Sequence, residues 1–186
     1  MSSNVSEESK KPLHKRKWFV LSTSLLSLIF LIDLSLVMFT HGGNRTVDIL
    51  GPATDQEVLP AKTISVLSIN LAHGRANGVH QMLQGEGKIS KHLEMVCELI
   101  NREGVNLVAL QEADRHCWWS GGFSHVEELS EATDLSYSAH AANVDGLGLS
   151  YGTAIISKEP MIKARQLTFP RNYPTLSKGC IISTCS

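Results

Sequence analysis

The chain has no C-x-x-C pair, and none of its four cysteines stands beside a histidine at zinc-finger spacing. Cys97, Cys117, Cys180 and Cys185 therefore give no sign of a structural zinc site. An oxidising exterior would permit disulfides among them, and free buried cysteines account for them equally well. There is no internal repeat and no low-complexity tract, which excludes a solenoid array or a disordered polar chain. Basic residues are scarce beyond the N-terminus. From residue 41 onward there are 12 basic and 15 acidic residues, with no basic stripe, which argues against non-specific nucleic-acid binding. The remaining composition, 42% hydrophobic and 19% charged over 186 residues, is that of one folded domain with room for an appendage.

The appendage is at the N-terminus. Residues 18–39, WFVLSTSLLSLIFLIDLSLVMF, contain no proline, no glycine and a single charge, Asp33. At about 1.5 Å per residue the segment matches a hydrocarbon core of roughly 30 Å. Lys10, Lys11, Lys15, Arg16 and Lys17 precede it, and no basic residue follows until Arg45. The positive-inside rule then puts residues 1–17 in the cytoplasm and residues 41–186 on the other side of a single-pass membrane anchor. Asp33 would cost about 2.5–3.5 kcal/mol at mid-bilayer, and less toward the outer end where it lies. The competing reading, a cleaved signal peptide, fits less well: the apolar core is long and THGGN is a poor cleavage site. Residues 41–62 look like a linker, with Gly, Pro and polar residues interrupting every apolar run. Asn44-Arg45-Thr46 is a sequon on the predicted outer side, and Asn4-Val5-Ser6 is one on the predicted cytoplasmic side.

Residues 63–186 read as alternating strands and helices. TISVLSIN (63–70) is short and β-branched, as a strand should be. Ile89, Leu93, Val96 and Ile100 mark one face of an amphipathic helix, and Gly104 is placed to cap it. VNLVALQ (105–111) follows, and its continuous apolar run predicts a strand buried on both faces. Ser124-His125-Val126-Glu127 is a capping box for a short helix with Val126 and Leu129 inward. SYSAHAANV (136–144), TAIIS (153–157), residues 163–169 and residues 180–184 are further strands. A glycine-punctuated turn, DGLGLSYG, lies between the first two of these.

The first core strand ends in Asn70 and the next in Gln111-Glu112. Ligands in layered α/β proteins gather beyond strand ends, where loops carry polar groups that the core cannot. A hard cation such as Mg²⁺ takes oxygen ligands and often only one or two carboxylates. An Asn carbonyl and a Glu carboxylate on neighbouring strand ends fit that description. They fit equally a pair of loop-capping, solvated residues.

LSINLAHG (67–74), VNLVALQEADR (105–115) and SYGTAIISKEP (150–160), in this order, resemble the endonuclease/exonuclease/phosphatase superfamily. Its members include magnesium-dependent sphingomyelinases, inositol-phosphate phosphatases and apurinic endonucleases. The resemblance covers nearly all of residues 63–186. It implies an α/β fold, the N-terminal half of a four-layered α/β sandwich (DNase I-like), here behind one transmembrane helix. The organisation expected is a basic tail (1–17), an anchor helix (18–40), a linker (41–62) and a partial domain (63–186). The resemblance implies that Glu112 binds the metal, Mg²⁺ or Mn²⁺, and that Asn70 lies close to metal and phosphate. Gln111 would support Glu112 by hydrogen bonding, and Tyr151 and Gly152 match a Y-G turn. Thr153 stands where relatives often carry Asn, and it cannot offer an amide. Asp114 and Arg115 fall at polar positions of the family, with Arg115 facing either phosphate or a salt-bridge partner. His73, His116 and His140 are expected to be surface or packing histidines.

The family's reaction also draws on an N-x-H, a G-D-x-N and a terminal S-D-H segment. Residues 161–186 contain none of them. The expectation is therefore a membrane-anchored, metal-dependent phosphoesterase represented by about its first half, inactive alone, with an open apolar face. Its substrate would be a small or lipid-derived phosphoester rather than nucleic acid. The alternatives are a membrane-tethered non-catalytic remnant or interaction module, and an unrelated anchored binding domain.

Overall fold

A computed structural model describes residues 13–38, 44–52, 63–76, 85–170 and 175–185. The chain divides into two compact units, Met1–Val37 and Met38–Ser186. Lys10 and Lys11 of the basic tail, the Asn4 sequon and residues 53–62 of the predicted linker lie outside the described residues, as does the Asn44 side chain.

The first unit holds helix α1 (Leu13–Met38). Its side chains at 17–32 and 34 are all exposed. Ser22 and Thr23 return their hydroxyls to the carbonyls of Phe19 and Val20, so neither interrupts the helix. The expected membrane-spanning helix over 18–40 is not met here. Among the described residues no helix is long and apolar enough to cross a membrane.

The second unit is mixed α/β. Its larger sheet has five strands: β2 (Ile49–Leu50), β3 (Val66–Asn70), β4 (Leu107–Asp114), β5 (Tyr137–Gly146) and β6 (Leu149–Ser157), in the order β2-β5-β6-β4-β3. The smaller sheet joins β1 (Asn44–Thr46), β7 (Met161–Thr168) and β8 (Gly179–Cys185), in the order β1-β7-β8. Among the described residues only β3 and β4 pair in parallel, and helix α2 (Glu86–Glu103) makes the crossover between them. Helix α3 (His125–Glu131) follows β4. Residues 44–52, expected as linker, thus carry two short strands: β1 pairs with β7 and β2 with β5. Elements of two or three residues lie below the reach of any sequence period.

The helix expectations hold with one shift, Cys97 taking the buried place expected of Val96. Ile89, Leu93, Cys97 and Ile100 are the buried face of α2, with Val96 packed at its margin. Gly104 ends the helix in a left-handed conformation (φ 59°), its N–H donating to the Ile100 carbonyl. Ser124 caps α3 by accepting from the Glu127 N–H, and Val126 and Leu129 point inward. These residues cover one face of the large sheet over Val108, Leu110, Ala154 and Ile156. Each fully buried Leu or Ile contributes about 1.5–3 kcal/mol of hydrophobic stabilisation.

Strand β4 departs from the expectation of burial on both faces. Val108 and Leu110 are buried against the helices, while Leu107 and Ala109 are half-buried. The helices cover one face only, and on the other Val66 of the edge strand β3 is 59% exposed. Toward β5 that second face is closed by the small sheet, through Ala139, Ile155, Met161, Ala164 and Ile181. The glycine-punctuated turn is shorter than expected. Gly146 pairs with Leu149, leaving Leu147 (φ 52°) and Gly148 (φ 74°) as a two-residue hairpin loop of the I′ kind. Tyr151 and Gly152 consequently lie inside β6 rather than in a turn. The cysteines are all free, Cys97 and Cys117 buried and Cys180 and Cys185 half-buried. Burial pushes the Cys117 thiol up to about 12.

Candidate active-site cleft

Four strands of the large sheet, β3, β4, β5 and β6, converge on one cleft of about 540 Å³. Asn70, Glu112, Asn143, Tyr151 and Thr153 line it, with Lys178 just before β8. Asn70 and Glu112, singled out from the sequence, are therefore neighbours in space, and Tyr151, Gly152 and Thr153 share their cleft.

Glu112 reaches the cleft through a register slip. Gln111 pairs with Thr153 and Ala113 with Gly152, so Glu112 is the extra residue of a bulge, at φ 49°. Left-handed backbone is costly for a side-chain-bearing residue and clusters at functional sites. Its side chain is 44% exposed, whereas Ala113 beside it is buried. A second slip faces it across β6. Ala142 pairs with Gly152 and Val144 with Tyr151, which leaves Asn143 unpaired. Gly152 sits between the two bulges with no room for a side chain: a Cβ there would lie 2.0 Å from the Ala141 carbonyl oxygen. Among the described residues the buried Asn143 Oδ1 and Thr153 Oγ1 have no hydrogen-bond partner.

The turn after β3 is also left-handed. Ala72, His73 and Gly74 have φ of 49°, 56° and 73°. Gly74 is pressed against the core, where a Cβ would meet Ile89 at 2.6 Å and His125 at 3.0 Å. Asn70 closes the turn, its Oδ1 accepting from the Ala72 N–H at 2.7 Å. With the carbonyl so engaged, the amide NH₂ is the free donor of Asn70. Gln111 ties the two strand ends together, donating from Nε2 to Ser68 Oγ at 3.1 Å.

His73 is a packing histidine, as expected, and is tied to Asp114 besides. Its Nδ1 stands 2.6 Å from Asp114 Oδ1 and its Nε2 3.8 Å from Glu112 Oε2. Tyr151 and Trp119 meet the ring edge to face, with centroids at 4.9 and 5.5 Å. Asp114 is fully buried, and it also accepts from Trp119 Nε1 and Ser120 Oγ. Burial alone would raise the Asp114 carboxyl, but the hydrogen bond and charge of His73 and the Ser120 hydroxyl outweigh it and hold the group below the usual carboxylate range. Burial likewise pushes the Tyr151 hydroxyl up, so it stays a neutral phenol.

The other histidines follow expectation: His116 is exposed and bonded to the Gly122 carbonyl, and His140 is bonded through Nε2 to the Ala113 carbonyl. Arg115 lies within 3.9 Å of Glu127 in an exposed ion pair, outside the cleft that holds Glu112. Among the described residues no three His, Cys, Asp or Glu side chains form a metal cage. An oxygen-seeking cation that keeps most of its water fits what is present, one half-exposed carboxylate at the cleft mouth.

No family model matches the chain, and no curated protein matches it. Among solved structures it is similar to an endonuclease/exonuclease/phosphatase family protein from Leptotrichia buccalis C-1013-b, at 15% identity and a TM-score of 0.42. The match covers 66% of this chain, which spans 50% of that protein's length.

Proposed function

We propose that residues 63–186 carry the cation- and phosphate-facing part of a metal-dependent phosphoesterase site of the endonuclease/exonuclease/phosphatase type. The observation that carries this reading is the convergence of Asn70, Glu112 and Tyr151, from three motifs far apart in sequence, on one cleft. In it Glu112 holds Mg²⁺ or Mn²⁺, with water completing the shell. A bound cation supplies Lewis-acid polarisation of a phosphate oxygen. Asn70 offers its free amide NH₂ to another phosphate oxygen, and the neutral Tyr151 hydroxyl offers a further donor at the cleft wall. The substrate class is a small or lipid-derived phosphoester, in keeping with the acidic balance of residues 41–186. The location that goes with this reading is outside the cytoplasm, with α1 held at a membrane by its exposed apolar side chains. Calorimetric titration of the chain with Mg²⁺ and Mn²⁺ tests the assignment. Binding is expected in the native chain and absent in Glu112→Gln, which keeps the side chain's size and removes its charge. Equal binding by both would remove Glu112 from the site.

A further inference from the structure

The pairing of His73 with Asp114 has no part in the function proposed above, yet the fold is arranged around it. Two consecutive left-handed residues and a glycine pressed on the core hold His73 in place. Asp114, wholly buried, has three hydrogen-bond donors, and one of them is the His73 ring. An ionised carboxylate only accepts, so in the neutral ring the proton is on Nδ1 and the lone pair on Nε2. That Nε2 faces the Glu112 carboxylate at 3.8 Å in the same cleft. Two ligands at about 2.1 Å from one metal ion stand about 3.0–3.5 Å apart at octahedral or tetrahedral angles. A rotation of a few tenths of an ångström at the half-exposed Glu112 side chain closes the difference. A carboxylate behind a histidine, fixing its tautomer and orientation, is the usual support of a histidine metal ligand.

We infer that His73 Nε2 and Glu112 Oε2 together bind the cation, with Asp114 as the orienting group behind the histidine, and that the site takes Mn²⁺ or Zn²⁺ in preference to Mg²⁺. The inference rests on the reading of Glu112 as a cation ligand and adds the identity of its partner. Imidazole favours borderline transition metals, whereas an all-oxygen site would show no such preference beyond the general order of affinities.

The test is calorimetric titration of the full chain in detergent with Zn²⁺, Mn²⁺ and Mg²⁺, alongside imidazole ¹⁵N spectra of the native chain. Zn²⁺ and Mn²⁺ are expected to bind at least about tenfold more tightly than Mg²⁺. His73→Ala should weaken Zn²⁺ and Mn²⁺ binding more than Mg²⁺ binding and so narrow that margin. Asp114→Asn should weaken Zn²⁺ binding by about 10–100-fold. In the native chain, saturation with Zn²⁺ should shift the His73 Nε2 resonance and leave that of His116 in place. The spectra decide the matter even if a variant fails to fold. An unmoved His73 Nε2, or an unchanged margin in folded His73→Ala, overturns the inference and leaves Glu112 as a ligand. Undiminished binding in Glu112→Gln overturns the function reading beneath it.

Discussion

Glu112 and Asn143 are the two residues by which β4 and β5 slip out of register with β6, and they do so on either side of the same glycine, Gly152. Paired bulges let two polar side chains leave the sheet at one level. They also bring the Ala141 carbonyl to where a Cβ of residue 152 would stand. Gly152→Ala is therefore expected to destabilise the second unit by about 3 kcal/mol or more, since backbone must move. Urea unfolding followed by fluorescence checks it; a loss below about 1 kcal/mol would show that the bulges adapt freely.

Stability should fall on mild acidification, before the carboxylates titrate. Burial lowers the pKa of His125 and of His140 from an ordinary value of 6.5. A depressed histidine pKa means the unfolded chain binds more protons, so the contribution is complete above 6.5 and is lost as pH falls below it. Asp114 adds a second, more acidic window, because its stabilisation is present above about 3.8 and lost as pH falls through its lower folded value. The urea midpoint measured from pH 8 to pH 5 should drop, and the drop should shrink in His125→Phe. A flat profile would mean that these rings are solvated.

These 186 residues are expected to bind a divalent cation without turning over a phosphoester. General acid–base help is worth roughly 10²–10⁴-fold and positioned electrostatic groups a further 10²–10³-fold. The donors lining the described cleft, Asn70, Asn143, Tyr151 and Lys178 among them, are suited to hold phosphate rather than to take a proton from water. The assay is hydrolysis of a generic phosphodiester and a phosphomonoester with Mg²⁺ or Mn²⁺. Metal-dependent turnover that disappears in Glu112→Gln would contradict this expectation.

A reporter enzyme fused after residue 60 is expected to behave as exported, because five basic residues precede the apolar segment and none follows until Arg45. A cytoplasmic-type signal from that fusion would reverse the proposed orientation.

The helices and strand ends were legible because each rests on local chemistry. The 4-3-4 spacing from Ile89 to Ile100 describes a face, Gly104 a left-handed cap, and Ser124 an N-cap. Asn70 and Glu112 stood out as polar groups at the ends of apolar strands, and the parallel pairing of β3 with β4 brings Asn70 level with Gln111, beside Glu112. What escaped was non-local. The contact of His73 with Asp114 joins residues 41 positions apart, through a turn whose left-handed backbone no periodicity announces. Continuous hydrophobicity in β4 suggested two covered faces, but hydrophobicity does not say how far a neighbouring sheet extends. The strands within 44–52 have their partners in β5 and β7, about 90–120 residues further on.

The bulge at Glu112 has one more consequence, for the length of the strand rather than its composition. Side chains alternate along β4, and the extra residue resets that alternation: Ala113 joins the core beneath α2 and α3, and Asp114, next along, turns to meet His73. Flattening the bulge with residue 112 kept in the ladder would exchange the two, driving a carboxylate into the hydrophobic layer and an alanine toward the histidine, whereas deleting residue 112 would leave both on their present faces. The strand thus behaves like a reading frame. It should keep its fold on deletion of residue 112 as well as on substitution there.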